Sequence, residues 1–315
     1  MDVVLLFPGQ GSQKPGMGKD LAAAFPAARE VFDRVDEALG ASLSTLCFEG
    51  PADALTLTHN AQPALLAHGA AVWAVVRDQI GSRVRAGAGH SLGEFTAHVA
   101  AGTFGVAAGA RLVRRRGELM YETGVARPGA MAAILGETSE PIESICRRAS
   151  AEAGLVVPAN YNAPDQLVIS GEVNGVERAM VMAKEAGAKR AVRLNVSGAF
   201  HSPLMEPALD GLRAALSVAG PSDGAFPVYA NVDASPVRAA ADASDRLARQ
   251  LTSPVRWVDE VRRLVADQPG ALFVELGPGN VLAGLMKRIA PDAAALSCAA
   301  AGDVDKLLGR LAQPA

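Results

Sequence analysis

The residues best suited to chemistry lie in Gly89-His90-Ser91-Leu92-Gly93, a Gly-x-Ser-x-Gly pattern. The small-residue run Val84-Arg85-Ala86-Gly87-Ala88 precedes it, and the helix-like run Glu94-Phe95-Thr96-Ala97-His98-Val99-Ala100 follows. That context predicts a nucleophile elbow, in which a sharp strand-to-helix turn pushes a serine into the open and flanking glycines relieve backbone crowding. The following helix would aim its N-terminal N–H groups and positive dipole end at developing negative charge, so covalent acyl chemistry is the first expectation. The pattern is short in a chain with 32 glycines among 315 residues, and the weight falls on its partners.

A serine nucleophile needs a base, and the chain has five histidines: His59, His68, His90, His98 and His201. Adjacent side chains diverge across a tight turn, so His90 is expected to support the loop. His98 follows the elbow on its helix and His68 sits on an apolar helix, places where histidines usually pack. His201 stands in Ser197-Gly198-Ala199-Phe200-His201-Ser202-Pro203, a loop between a strand and a new helix, where functional side chains are commonly displayed. It is the candidate base.

Arg116 is the third candidate. At about 100° per residue, Leu112, Val113, Leu119 and Met120 form one apolar arc with Arg116 in its middle, while Arg114 and Glu118 point away. Arg114 and Arg115 read as a solvated face. An arginine on a buried stripe must meet an anion, because guanidinium cannot shed its proton. That anion is either an internal Asp or Glu, or a substrate carboxylate held by two parallel hydrogen bonds. The loop Phe7-Pro8-Gly9-Gln10-Gly11-Ser12-Gln13 has backbone N–H groups that could complete an oxyanion hole begun by the N–H of Leu92. It lacks a Gly-Lys-Ser/Thr ending, and the Gly87–Gly93 run misses the dinucleotide spacing by one residue, which argues against ATP and NAD. No His, Cys, Asp and Glu set has metal-ligand spacing.

The elements that must hold these residues read as an α/β fold. Val3–Phe7 and Leu272–Leu276 are apolar runs that each feed a Gly-rich loop, the form of strands buried on both faces. Helical patterns near 20–40, 62–79, 92–101, 106–123, 204–217 and 256–267 alternate with them, predicting a parallel sheet core covered by helices. Between about Pro128 and Val196 the order becomes β-α-β-β-α-β, the ferredoxin-like unit. The expected organisation is a catalytic domain of residues 1–127 and 197–315 with a small inserted subdomain of residues 128–196. Ala239–Ala243 reads as a surface loop or helix start.

Half the residues are hydrophobic and a fifth charged, and the net charge of −3 offers no excess of cations to a nucleic acid. Cys47, Cys146 and Cys298 are odd in number and far apart, which fits reduced thiols in a cytoplasm. The N-terminal apolar run is of strand length, with no basic region before it, so neither signal peptide nor membrane span is expected.

Taken in order, Phe7-Pro8-Gly9-Gln10-Gly11-Ser12-Gln13, Gly89-His90-Ser91-Leu92-Gly93-Glu94, Arg116-Gly117, Gly198-Ala199-Phe200-His201-Ser202-Pro203-Leu204-Met205 and Gln250-Leu251-Thr252-Ser253-Pro254-Val255-Arg256-Trp257 resemble the malonyl-CoA:acyl carrier protein transacylases. Gln62-Pro63-Ala64-Leu65, Asn160-Tyr161-Asn162-Ala163-Pro164 and Glu275-Leu276-Gly277-Pro278-Gly279 extend the likeness from end to end. The resemblance implies an α/β-hydrolase-like large domain with an inserted ferredoxin-like subdomain, and [acyl-carrier-protein] S-malonyltransferase activity in fatty acid or polyketide synthesis. It implies Ser91 as nucleophile, His201 as base, Gln250 holding His201, Arg116 as clamp for the malonyl carboxylate, and Gln10 and Leu92 as oxyanion donors. Gln62, Asn162 and the malonyl-selective Phe200 join the substrate-binding set. The partners implied are malonyl-CoA and an acyl carrier protein, with no cofactor, no metal, no nucleic acid and no membrane, in a monomer. Lys184, Lys189, Arg190, Arg193, Lys287 and Arg288 are candidates for docking an acidic carrier. The alternatives are a serine thioesterase or hydrolase, whose histidine would come near the end of the chain, and an acyltransferase using another donor or carrier.

Overall fold

The computed structural model describes residues 1–312. Its strands are β1 (Val3–Phe7), β2 (Val84–Gly89), β3 (Ala130–Leu135), β4 (Val156–Ala163), β5 (Gln166–Gly171), β6 (Arg190–Arg193), β7 (Val228–Tyr229), β8 (Pro236–Val237), β9 (Leu272–Leu276) and β10 (Ala295–Cys298). Six of them form one sheet in the order β10-β9-β1-β2-β7-β8, parallel except for the short β7–β8 pair. All five residues of β1 and of β9 are buried, because helices cover both faces and leave no wet side for polar alternation. The chain moves from β1 to β2 on one side and places β9 on the other, which opens a crevice beyond the carboxyl ends of the central strands.

The second sheet, β4-β5-β3-β6, is antiparallel throughout. One face holds its own core, including Ile134, Ile145, Ile169 and Val176, under the helices Ile142–Ala153 and Val173–Glu185. From the other face Met131 and Val168 join the main core. A further tie comes from β4, where Val255 N–H donates to Ala159 and Tyr161 N–H donates to Val255, at 2.8 and 2.9 Å. The peptide after Gln250 is thereby fixed against the small sheet.

Several boundaries differ from the sequence expectation for local reasons. The helix near 20–40 is two helices, Lys19–Ala24 and Pro26–Leu39, because Pro26 starts a new first turn after extended Phe25. The helix expected at 204–217 begins as a 3-10 turn, Pro203–Ala208, with prolines at both 203 and 207, and only then becomes the α-helix Leu209–Val218. Strand β6 stops at Arg193, and Leu194, Asn195 and Val196 turn into the lining of a cleft. Ala239–Ala243 enters the helix Ala240–Gln250, whose last residue is a site residue. Among the described residues, no helix is long and apolar enough to cross a membrane.

Candidate active site

Ser91 sits where β2 ends and the helix Leu92–Ala100 begins, with φ 52° and ψ −106°. A non-glycine residue at positive φ costs about 1–3 kcal/mol and persists only where its surroundings enforce it. The flanking glycines make the turn possible. A Cβ on Gly93 would lie 1.9 Å from the Phe7 carbonyl oxygen, and one on Gly89 would lie 2.0 Å from the Gly93 carbonyl carbon. The helix therefore starts against the end of β1, with the Gln10 loop beside it. Inside the turn Gly93 N–H donates to His90, Glu94 N–H to Ser91 and His90 N–H to Phe7. Ser91 N–H is taken by Asn231 Oδ1 at 2.8 Å. Among the described residues, the N–H groups of Leu92 and Gln10 have no acceptor.

His201 comes from a different chain segment, the loop after β6, and also has positive φ, 55°. Its Nε2 lies 2.7 Å from Ser91 Oγ, and its Nδ1 lies 2.9 Å from the Gln250 backbone carbonyl oxygen. A carbonyl only accepts, so Nδ1 carries the proton and Nε2 is left to accept from the serine hydroxyl. Burial, with the Arg116 charge adding to it, pushes the imidazole down to about 3, which keeps it neutral.

Arg116 is 1% exposed in the helix Val106–Ala126. Its Nη1 donates to Gln62 Oε1 at 2.7 Å, while Nη2 donates to Gln250 Oε1 at 2.9 Å and to Ser91 Oγ at 3.2 Å. The guanidinium carbon stands 5.0 Å from the Phe95 ring centroid, and Nε has no partner. Every acceptor in this set is neutral. Burial lowers its pKa to about 10, with the Glu94 charge working against that shift. Glu94 meets Arg116 through Gln250, whose Nε2 donates to Glu94 Oε2 at 2.7 Å while its Oε1 accepts from the guanidinium. Burial pushes Glu94 up to about 7, opposed by Gln250, Asn231 and Arg116.

The other predicted residues fall into three groups. Gln10, Leu92 and Phe200 line one cleft of about 300 Å³ with Ser91, Arg116, His201, Met120 and Met131. The Gln10 side chain is held there by Thr58, whose hydroxyl donates to Oε1 at 3.0 Å. Gln62 and Gln250 are fully buried behind the cleft, one propping Arg116, the other meeting His201 by its backbone and Arg116 by its side chain. Asn162 lies away from the lining and bonds His90 through Oδ1 to Nε2 at 2.7 Å, so His90 does support the loop. Its neighbour Asn160 reaches the cleft. Arg115 pairs with Glu118 and Glu122 on the surface, whereas Arg114 is half-buried and donates to Asn60. The docking candidates Lys184, Lys189, Arg190, Arg193, Lys287 and Arg288 are all exposed, with Arg193 paired to Glu177 and Arg288 to Asp165.

Sequence reasoning missed the buried polar layer under the elbow, made of Glu94, Asn231 and Glu260, all 0% exposed. One signal was available: Glu94 is the single acid in the mostly small and apolar run 92–100, which reads as a buried helix whose carboxyl must find internal donors.

Residues 4–312 match the acyl transferase domain family. The chain is 47% identical over 287 residues to the malonyl CoA-acyl carrier protein transacylase of Bacillus subtilis strain 168, covering 91% of this chain and 90% of that one. It is 43% identical over 284 residues to the protein of that name from Escherichia coli K12, covering 90% and 91%. The crystal structure of an acyl-carrier-protein-S-malonyltransferase from Bartonella henselae superposes with a TM-score of 0.94 at 43% identity, covering 99% of this chain and 100% of that one. A malonyl-transacylase in complex with its type II PKS acyl-carrier protein superposes at 0.93 with 40% identity, covering 98% and 100%.

Proposed function

The chain belongs to the acyl transferase domain family, among its malonyl-CoA:acyl carrier protein transacylases, and from that premise we propose that it passes malonyl from CoA to the carrier's phosphopantetheine thiol through an ester on Ser91. One observation carries the reading. Ser91 Oγ is touched at 2.7 Å by His201 Nε2 and at 3.2 Å by Arg116 Nη2. In malonyl a single methylene separates the thioester carbon from the carboxylate, so a nucleophile and a carboxylate clamp must stand side by side.

His201 Nε2 takes the Ser91 proton as Oγ attacks the thioester carbonyl. The oxyanion forms against the N–H groups of Leu92 and Gln10, which are unengaged, at the positive end of the Leu92–Ala100 helix. The tetrahedral intermediate collapses, the carbon–sulfur bond breaks, and the proton from His201 leaves with CoA as its thiol. The carrier's thiol then gives its proton to His201 as its sulfur attacks the malonyl ester, and when the carbon–oxygen bond to Ser91 breaks His201 returns that proton to Oγ, restoring the serine hydroxyl. These steps balance between the two thiols, Ser91 and His201, so the reading calls on no cofactor or metal. Arg116 fixes the carboxylate, Gln62 and Gln250 fix Arg116, and Phe200 with Met120 and Met131 bounds the acyl space.

The same reading takes residues 1–127 and 197–315 as an α/β-hydrolase-like domain and 128–196 as a ferredoxin-like insert, supported by the β4-β5-β3-β6 order under two helices. The same reading takes the protein as a monomer, and three buried free cysteines favour the cytoplasm. Asn162 enters this reading as support for His90.

Malonyl-CoA alone should yield a malonyl adduct on Ser91 by peptide mass spectrometry, discharged on adding a phosphopantetheinylated carrier, while Ser91→Ala yields none. Steady CoA release without an adduct would make the protein a hydrolase, and wild-type transfer by a folded Ser91→Ala variant would refute the mechanism.

A further inference from the structure

We infer that Asn231 is the positioning residue of the nucleophile elbow: its side-chain amide staples Gly89 to Ser91 and holds Ser91 in the positive-φ conformation that presents Oγ to His201. The inference rests on Ser91 being the acylated nucleophile.

Asn231 follows β7 and is 140 residues from Ser91 along the chain. Its Oδ1 accepts the Ser91 N–H at 2.8 Å, and its Nδ2 donates to the Gly89 carbonyl at 2.8 Å. One planar amide therefore bridges the backbone on both sides of His90, closing the elbow into a ring. Such a brace opposes the relaxation that a strained φ favours.

The amide has no freedom to turn over. Its remaining Nδ2 proton goes to Glu260 Oε1 at 2.9 Å, and Oδ1 also accepts from Gln250 Nε2 at 3.2 Å. Reversal would set its oxygen against a carboxylate and a carbonyl, and its nitrogen against two N–H donors. The backbone is fixed as well: Asn231 N–H donates to Glu94 Oε2 at 3.1 Å, and its carbonyl accepts from Arg256 N–H at 2.9 Å. The residue is 0% exposed. Behind it a tight turn, with Ala234 at φ 55°, is closed by Ala234 N–H to Ala230 and Ala230 N–H to Ser235. Asn231 meets Ser91 only at the backbone N–H. It also occupies that N–H, so the Leu92 N–H is the first one left pointing at the oxyanion.

The test compares single-turnover malonylation of Ser91 in the wild type, Asn231→Ala and Asn231→Asp, with malonyl-CoA affinity measured by calorimetry in a Ser91→Ala background. A shift of about 1 Å in a reacting group costs on the order of 100-fold in rate, and that loss is expected for Asn231→Ala. Affinity should stay within about threefold, because Asn231 does not touch Arg116, and Gln250, which loses its 3.2 Å bond to Asn231, keeps its bonds to Arg116, Glu94 and the Ser91 carbonyl. Asn231→Asp keeps an oxygen for Ser91 N–H but donates to Gly89 only while protonated. Glu94 on the elbow helix and Glu260 on the helix Trp257–Asp267 face position 231, with Arg116 and His201 beyond Gln250. The two carboxyls favour the protonated form, so the rate relative to wild type should fall as pH rises.

A residue that only fills volume would give a ratio independent of pH, and that result would overturn the inference. Wild-type acylation by a folded Asn231→Ala, or a loss of affinity equal to the loss of rate, would do the same. If Asn231→Ala does not fold, the pH profile of Asn231→Asp decides alone. Failure of the wild type to form malonyl-Ser91 would instead strike the proposed nucleophile.

Discussion

Replacing Arg116 with methionine separates selectivity from folding. The side chain keeps an unbranched apolar stem beside Phe95 but loses the charge. A bidentate malonyl carboxylate would make two charge-assisted hydrogen bonds with Arg116, each worth about 1.5–3 kcal/mol, or about 3–6 kcal/mol together. At about 1.4 kcal/mol per tenfold, the preference for malonyl-CoA over acetyl-CoA should fall by about 10²- to 10⁴-fold. Stability should change far less. The variant leaves the Gln62 and Gln250 amide oxygens without their donor, yet it also removes a buried charge whose desolvation costs several kcal/mol. Nor does it strand Glu94. Arg116 holds that carboxyl down, so without it Glu94 rises further and its neutral form is favoured. The assay is the single-turnover rate of Ser91 acylation by each thioester, without carrier, alongside urea unfolding. A folded Arg116→Met enzyme whose malonyl-to-acetyl ratio lay within about threefold of wild type would refute the clamp.

The pH dependence of kcat/KM reports the free enzyme's essential base. With His201 pushed down to about 3 by burial and Arg116, the neutral base persists above that value, so kcat/KM should hold down to about pH 5. A midpoint near the ordinary imidazole value of about 6.5 would show that burial and Arg116 do not hold His201 down. The same shift has an opposite sign for stability: between about 6.5 and 3 the unfolded chain binds a proton at this histidine that the folded chain refuses, so His201 favours unfolding as pH falls. Gly93→Ala should destabilise by about 3 kcal/mol or more, since its Cβ would lie 1.9 Å from the Phe7 carbonyl oxygen. Gly284→Ala, helical and with nothing within 4 Å of the added Cβ, is the control and should be neutral or stabilising in urea unfolding.

Long periodic segments carried most of the fold into view. The runs Val3–Phe7 and Leu272–Leu276 are buried on both faces, so hydrophobicity alone marks them as central strands. The β-α-β-β-α-β order was equally legible, since one amphipathic helix separates β3 from β4 and another separates β5 from β6. Strands β7 and β8 have two residues each, too few for any period to register, although β7 delivers Asn231 to the elbow. The 3-10 turn at Pro203–Ala208 hid inside an apolar pattern that a helix shares.

The site was legible to the extent that its chemistry depends on residue type. Ser91, His201 and Arg116 stand out as a glycine-flanked serine, a loop histidine and a cation in an apolar stripe, and the structure gathers all three around one oxygen. What spacing does not reveal is which atom of a residue is used. Gln250 meets His201 through its backbone carbonyl and spends its side chain on Arg116, Glu94, Asn231 and the Ser91 carbonyl, a division no side-chain pattern encodes. The sequence left the partner of Arg116 open between an internal acid and a substrate carboxylate. The fold answers by surrounding the guanidinium with two amide oxygens, a hydroxyl and an aromatic face, and by keeping the nearest interacting acid, Glu94, one amide away. Neutral acceptors hold the cation in place without satisfying its charge, and Nε is left with no acceptor at all. An internal carboxylate on the guanidinium would have stabilised the empty site and competed with malonyl for the same donors. Leaving the charge unmatched would make an arriving carboxylate the better partner, and that difference is what the Arg116→Met variant is chosen to measure.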